Sequence, residues 1–313
     1  MAVKIILTLC FILSTIGVLC QTNDLKEVQR NRTIAKDFAR KKSFDSACSI
    51  YAKFISNKKY ANPFDELEYS YCCLKRGDTA MFQRLLCKSI QSGVDTELIY
   101  RFYGQLSAVE KERTELFLKS NFVALYQTFL DTHDTVLINE LTCMRQMDQM
   151  ARGPIQKLIM KYRQHWEEDS NAHYLMVVQK LADSLNYIRF MRLLAQGRFP
   201  GYHLCGVAAA DIGIMLLHLD GSYVDWDLVQ DALKKAVVDG DLDPGQVAGI
   251  IDRHYLGLLN PVYYYGRIRW NGNYGFYDCK NVDKLRAEIG IETLRSEYLK
   301  EQRALPECYD REY

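Results

Sequence analysis

The sequence predicts an all-α fold, in which a module of helical-hairpin repeats is followed by a multi-helix domain that carries one small β-hairpin. Apolar residues recur at helical spacing along most of the chain. A unit of two helices around a polar turn recurs after about 34 residues, a period typical of helical-hairpin repeats. One aromatic segment, 264–277, alternates around Asn271-Gly272, the dipeptide typical of tight hairpin turns.

Residues 1–20 have the pattern of a secretory signal peptide. Lys4 precedes an apolar run from Ile5 to Leu19, and Val18 and Cys20 are small enough for the positions before a cleavage site. The run is shorter than the roughly 20 apolar residues that span a bilayer. We therefore expect cleavage after Cys20 and export to the periplasm or the exterior. An uncleaved anchor is the alternative, and a leucine before Cys20 disfavours a lipid anchor on that cysteine.

Composition excludes some classes of protein and leaves others open. A net charge of +1 gives no general attraction to nucleic acid, and 48% hydrophobic residues are enough for sizeable cores. No second stretch is long and apolar enough to span a membrane, so we expect no span after signal cleavage. The glycines of 197–206 lack the G-K-[ST] of a phosphate loop, and no C-x-x-C or H-E-x-x-H is present. We therefore predict neither a cofactor nor a metal.

Eight cysteines follow the predicted cleavage site, and their pairing is left open. Export permits disulfides, but a chain of this size does not depend on them. We expect a disulfide between Cys279 and Cys308 near the C-terminus. The cysteines in predicted helices of the N-terminal region are expected to be buried free thiols; they are Cys48, Cys72, Cys73 and Cys87.

The repeats define a tetratricopeptide-like helical region at 21–133. Polar turns at 42–47 and 76–81 each lie between two amphipathic helices. Short stacks of this kind need a neighbour to cover the last apolar face, and the helical patterns at 96–106 and 108–130 provide one. A polar break at 132–135 marks the expected domain boundary.

Residues 134–304 are predicted to form a second, helical domain, followed by a loose tail at 305–313. Asp243-Pro244 is a strong helix start, whereas Gly197 and Gly240 are expected to end helices. The helices are expected at about 136–151, 154–166, 171–182, 184–196, 205–219, 224–239, 244–258 and 282–298.

An ordered set of short motifs lies in this second domain. They are D-Q-x-x-R from Asp148, D-x-x-N from Asp183, G-x-F-P from Gly197, G-x-x-A-A from Gly206, L-L-H ending at His218, D-R at Asp252, Y-G at Tyr265, and V-D-x-x-R-x-x-x-G from Val282. This order resembles a family of exported bacterial proteins known only as a domain of unknown function. The resemblance implies a protein of the bacterial cell envelope and leaves its chemistry open. In that family Y-G is followed by T-Q, whereas Arg267-Ile268 stands here.

Asp148, Gln149 and Arg152 are predicted to share one helical face and to form part of a binding site. The planar guanidinium of Arg152 suits a carboxylate or phosphate ligand. The alternative is a structural ion pair with Asp183 or Asp252. Asp183 is otherwise expected to cap the helix that it begins.

His218 is the candidate acid/base group, because histidine transfers protons near neutral pH without large tuning. Asp252 is the second predicted catalytic residue, and Arg253 and Tyr265 are predicted to bind. We expect Asp148, Arg152 and His218 to converge with either Asp252 or Arg253. The alternative for His218 is a satisfied structural group on an apolar helix.

Two functions follow from these patterns. The favoured one is an exported interaction protein that binds a protein or peptide partner in the cell envelope, because helical-hairpin arrays bind by surface. The other is an envelope hydrolase or transferase with His218 as acid/base and Arg152 holding an anion.

Overall fold

The computed structural model describes residues 24–57, 59–104, 106–162, 170–218, 225–258, 261–266, 275–306 and 308–309. The described chain is predominantly helical, which confirms the all-α prediction. The predicted signal peptide at 1–20 lies outside these ranges. No helix among the described residues combines the length and apolar character needed to cross a membrane.

The N-terminal half consists of helices joined by short turns. They are α1 (24–40), α2 (Phe44–Phe54), α3 (Pro63–Arg76), α4 (Thr79–Gln91), α5 (Thr96–Tyr103) and α6 (Ala108–Thr132).

The C-terminal half contains the remaining elements. They are α7 (Thr135–Met150), α8 (Arg152–Tyr162), α9 (Ser170–Ala195), α10 (Tyr202–Cys205), a 3₁₀ turn (Gly206–Ala209), α11 (Ala210–Leu216), α12 (Trp226–Asp239), α13 (Pro244–Leu256), β1 (Val262–Tyr263), β2 (Gly275–Phe276), α14 (Val282–Glu288) and α15 (Leu294–Lys300).

Side-chain caps explain where several helices begin. The carboxylate of Asp243 accepts hydrogen bonds from the amides of Gly245 and Gln246, with Pro244 as the first helical residue of α13. Gly197 and Gly240 adopt left-handed conformations at the ends of α9 and α12. These observations confirm the predicted start of α13 and both predicted glycine stops.

The two predicted turns of the repeat are both present. Helix α2 packs on α3, and α3 packs closely on α4 across the two-residue turn Gly77-Asp78. A left-handed residue occupies each turn, Lys42 in the first and Gly77 in the second. Helix α6 then packs on α4, as expected for a neighbour that covers the last apolar face. The kinship with tetratricopeptide repeats stays a prediction.

One hydrophobic core extends from Leu25 in α1 to Ile289 after α14. Gly206 lies directly against the backbone of Ser92, and Gly240 lies against that of Lys59, so a Cβ at either glycine would overlap the other half. The core therefore continues across the expected boundary at 133/134, which itself stays a prediction.

The small β element is present but is not a hairpin. Strands β1 and β2 pair in parallel, with Val262 beside Gly275. Antiparallel pairing is what a two-residue turn produces, whereas parallel strands need a longer crossover. The prediction of a hairpin is therefore wrong, and its turn, Asn271-Gly272, lies outside the described residues.

Two predicted helix boundaries are also wrong. Helix α9 runs without interruption through Asp183, so this residue is not a cap; its carboxylate accepts from side chains instead. The helix expected at 282–298 is split into α14 and α15, because Gly290 takes a left-handed conformation with φ of 73°. At Asp183, contacts with other helices outweigh the tendency to cap. At Gly290, the left-handed backbone ends a helix that the sequence pattern alone would continue.

Two features hold residues 308 and 309 against the fold. Cys279 and Cys308 form the expected disulfide, and the hydroxyl of Tyr309 donates to Asp283. These contacts tie two residues of the predicted tail, 305–313, to the fold. Cys48, Cys72 and Cys73 are buried free thiols as predicted, whereas Cys87 is half-buried.

Candidate functional site

A buried carboxylate organises the junction of α7, α8, α9 and α11. Asp148 lies in the last turn of α7 and is 1% exposed. It accepts hydrogen bonds from Nη2 of Arg152 at 3.1 Å, from Nδ1 of His218 at 2.9 Å and from the amide of Gln149. Three side chains from three positions along the chain therefore meet on one charged group.

Arg152 extends this arrangement to α9. Its Nη2 also donates to Oδ1 of Asp183 at 2.7 Å, and Nε2 of Gln179 donates to the same oxygen at 2.8 Å. One turn further on, the amide of Asn186 donates to the carbonyl of Met144 in α7 at 2.8 Å. We call this set the inner polar network; its members are Asp148, Gln149, Arg152, Gln179, Asp183, Asn186 and His218.

The pKa values of the two carboxylates in the network, Asp148 and Asp183, are shifted in opposite directions. Burial raises the pKa of Asp148, but hydrogen bonding and charge from His218 and then Arg152 outweigh burial, and the net pKa is lowered. Burial also raises the pKa of Asp183, and there the opposing effects of Arg152 and Gln179 are too small to reverse it. Asp148 is therefore the stable anion of the network.

His218 has the geometry of an oriented acid/base group. Its Nδ1 faces Asp148, so its Nε2 is the atom that can exchange a proton with a ligand. The His218 side chain is 28% exposed and that of Arg152 is 26% exposed, so both reach solvent while Asp148 does not. The network is thus partly open rather than sealed inside the core.

The opening beside the network is small. A depression between α7, α9 and α11, lined by apolar side chains and Asn186, has room for about 10 Å³, roughly one water molecule. Pockets for small molecules usually enclose about 300–1,000 Å³. This depression is therefore too small to enclose a substrate.

The structure brings together most of the residues expected at the site. Asp148, Gln149, Arg152 and His218 are in direct contact, as predicted. Burial lowers the pKa of Arg253, and the nearby charge of Arg152 lowers it further. Arg253 is therefore close enough to Arg152 to interact with it electrostatically. The expected ion pair of Arg152 is also present, with Asp183 as the predicted partner and Asp148 as an additional one.

Asp252 holds a loop in place, and its catalytic role stays a prediction. Its Oδ1 accepts hydrogen bonds from the backbone amides of Tyr264, Tyr265 and Gly266, at 2.9, 2.6 and 3.2 Å, and the side chain is fully buried. A carboxylate held by three amides fixes the path of a loop. Asp252 therefore holds the backbone that follows β1. The carboxylate that bonds to His218 is that of Asp148.

Tyr265 also helps to hold this loop in place. Its ring is fully buried, and its carbonyl accepts from Nη1 of Arg286 at 2.5 Å. Arg286 is itself buried and pairs with Glu297. The predicted binding role of the Tyr265 side chain stays a prediction, while its backbone links Asp252 to Arg286.

His254 occupies a separate aromatic cluster. Its ring stacks on the indole of Trp226 with centroids 3.7 Å apart, and burial lowers its pKa to about 4. It is neutral at physiological pH and packs as an aromatic side chain. Among the described residues, no three His, Cys, Asp or Glu side chains are grouped so that they could hold a metal ion.

Sequence reasoning missed the outward surface of α9. Five large apolar side chains on this surface are between 38% and 67% exposed. We call this set the outer apolar face; it consists of Tyr174, Val177, Leu181, Leu185 and Ile188. The spacing of three and four residues was visible in the sequence, but such a stripe is normally assigned to the core.

The comparisons with known proteins add no assignment. No family model matches the chain, and neither a curated protein nor a solved structure matches it.

The network predicts that two carboxylates of α7 contribute very differently to the free energy of unfolding. Asp148→Ala would leave Arg152 and His218 without their buried partner, and we expect the free energy of unfolding to fall by about 3 kcal/mol. Glu140→Ala removes a surface partner of the exposed Arg192 and should cost less than about 1 kcal/mol.

Urea unfolding followed by circular dichroism measures both values. Equal losses for the two variants would contradict a central role for Asp148.

Proposed function

We propose that this chain is an exported helical interaction protein that binds a protein or peptide partner in the bacterial cell envelope through the outer apolar face of α9. The observation that carries the proposal is the exposure of five large apolar side chains along one described helix. Contiguous apolar surface on a monomer marks an interaction site more often than scattered apolar residues do.

Hydrogen bonds on the opposite side of α9 determine that this face points outward. Gln179, Asp183 and Asn186 all turn inward and bond to α7, α8 or each other. Rotating α9 to bury its apolar side would bring these polar groups out of their hydrogen bonds. Their partners on α7 and α8 would then lose a hydrogen bond, at a cost of about 1–3 kcal/mol for each buried group left unsatisfied. A partner that covers the apolar face avoids this cost.

Burial of the face supplies a moderate driving force. A large apolar side chain contributes roughly 1.5–3 kcal/mol when it is fully buried, and these five are already about half covered. The gain is then on the order of 5 kcal/mol, which is comparable with the smaller estimates of the cost of association. Binding should therefore be reversible and should depend on every residue of the face.

Export and location rest on the sequence. The pattern of residues 1–20 supports secretion, and the motif order of the second domain supports membership in an exported bacterial family. The near-neutral net charge supports a protein partner over nucleic acid.

Site-specific photo-crosslinking tests the proposal. A photoreactive phenylalanine analogue at Leu181, irradiated in the exporting bacterium, should give a discrete crosslinked species in the envelope fraction. The matched control is the same analogue at Val123, which is 81% exposed on α6. The Leu181 product should disappear when Val177→Lys is added, because a charge in the face opposes burial.

A second product at Val123 of equal yield would indicate random collision. No product at Leu181 would remove the basis for binding at α9.

The His218–Asp148 pair favours a second candidate, an envelope hydrolase or transferase. In this role His218 transfers the proton through Nε2, Asp148 orients its ring, and Arg152 holds an anionic group of the substrate. The supporting observation is the 2.9 Å contact between Nδ1 of His218 and Asp148, with His218 partly exposed. The small volume of the depression next to the network places this candidate second.

Thermal-shift measurements with phosphate, acetate and short peptides test the second candidate. A ligand of the site should raise the melting temperature of the wild type and leave that of His218→Ala unchanged. A lower unliganded melting temperature without any ligand effect would assign His218 to the structural network alone.

A further inference from the structure

We propose that the partner of the outer apolar face is a second copy of this chain, paired in antiparallel fashion through α9 with the two-fold axis at Leu181. The inference rests on the proposed function, since it names the partner of the same surface. Its basis is the arrangement of the exposed apolar residues and the distribution of charge around them.

The exposed residues are spaced symmetrically about Leu181. Val177 and Leu185 lie four positions to either side, and Tyr174 and Ile188 lie seven positions to either side. In an antiparallel pair of identical helices, residues equally distant from the axis on opposite sides face each other. Leu181 then meets its own copy, Val177 meets Leu185, and Tyr174 meets Ile188. Each exposed apolar side chain thereby gains an apolar partner, which is the self-complementarity of an isologous interface.

Charge on this part of α9 does not specify a partner of opposite sign. Between Tyr174 and Ile188 the charged residues are Lys180 and Asp183, and Asp183 is turned inward to Arg152. Arg192, beyond the end of the face, pairs with Glu140 of its own chain. An acidic peptide or an anionic membrane would meet a single exposed cation, Lys180, along the face. An apolar, self-complementary partner fits this surface better.

The position of Lys180 gives the pairing a diagnostic salt dependence. The two copies of Lys180 lie next to the two-fold axis and repel each other, with their stems along the apolar surface and their ammonium groups in solvent. Salt screens this repulsion, with a Debye length of about 8 Å at physiological ionic strength. Dimerisation should therefore strengthen as salt rises, whereas binding to an anionic partner would weaken.

The size of the face predicts a weak dimer. From Tyr174 to Ile188 it is about 21 Å long, from a rise of 1.5 Å per residue. A strip one helix wide and of that length is smaller than the roughly 800 Å² per partner of a standard interface. Helix α8 packs beside α9 and exposes Met160, which enlarges the surface only modestly. The experiment must therefore cover a wide range of protein concentration.

Sedimentation equilibrium of the full chain, purified from the exporting host, tests the association. We expect a monomer–dimer equilibrium that tightens between low and high salt, and a dissociation constant at least about 30-fold weaker for Leu181→Glu. Val123→Glu, on the exposed surface of α6, is the matched control and should leave the constant unchanged. Because Leu181 is exposed, both variants should keep the circular dichroism of the wild type.

Disulfide crosslinking tests the geometry in a Cys143→Ser background, which removes the exposed thiol among the described residues. Leu181→Cys should form a covalent dimer under mild oxidation. Tyr174→Cys alone should not, because its two copies would lie about 21 Å apart along the axis. A mixture of Tyr174→Cys and Ile188→Cys should crosslink.

The outcomes separate this inference from the proposed function. A chain that stays monomeric at all concentrations, but whose Leu181 photo-crosslinks in cells to a species that is not twice its mass, overturns the second copy and leaves partner binding intact. Failure of both experiments overturns both proposals. Efficient crosslinking of Tyr174→Cys with itself would contradict the antiparallel arrangement.

Discussion

The carboxylate of Asp148 is the group on which the C-terminal half of this protein depends. It is almost completely removed from solvent, and it holds Arg152 at the start of α8 and His218 after α11. Arg152 in turn reaches Asp183 in the middle of α9. A buried charge is costly unless it is paired and hydrogen-bonded, so these partners have little freedom to move. Four helices are thereby fixed around one anion.

This constraint determines which side of α9 faces solvent. The helix carries apolar residues around most of its circumference, so hydrophobicity alone allows several rotations. Gln179, Asp183 and Asn186 make their hydrogen bonds on the side of α7 and α8. The remaining apolar residues are then left on the outside. The polar network and the outer apolar face are two consequences of the same rotation of one helix.

The same arrangement explains why the histidine alone does not establish an enzyme. His218 is oriented by Asp148 and reaches solvent, which are two requirements of an acid/base group. The other requirement, a cavity that holds the reacting group beside Nε2, is not met by the small depression lined by Asn186, Phe190 and Met215. The exposed apolar surface of α9 is the feature that the proposed function uses.

Much of the fold could be predicted from local signals. Capping by Asp243 and the glycine stops at Gly197 and Gly240 depend on short-range chemistry that the sequence displays. The meeting of Asp148, Arg152 and His218 was predictable because polar residues in apolar helices must satisfy one another.

The remaining features depended on tertiary contacts. Asp183 was predicted to be a helix cap, but its carboxylate accepts hydrogen bonds from Arg152 and Gln179. The contacts of Asp252 with the amides after β1 were not predicted. The pairing of β1 with β2 in parallel could not follow from a turn signal alone. The outward rotation of α9 could not be read either, because pattern analysis assigns an apolar stripe to the core.

The rotation of α9 is the central claim, and thiol labelling of neighbouring positions tests it most directly. Single cysteines at Leu181 and Ala182, in the Cys143→Ser background, differ by one residue and by about 100° around the helix. Leu181 is 60% exposed and Ala182 is 4% exposed. In dilute protein, Leu181→Cys should react with a maleimide at nearly the rate of a free thiol, and Ala182→Cys should react far more slowly. Slow labelling at Leu181 with fast labelling at Ala182 would show that α9 faces the other way, and it would contradict the account.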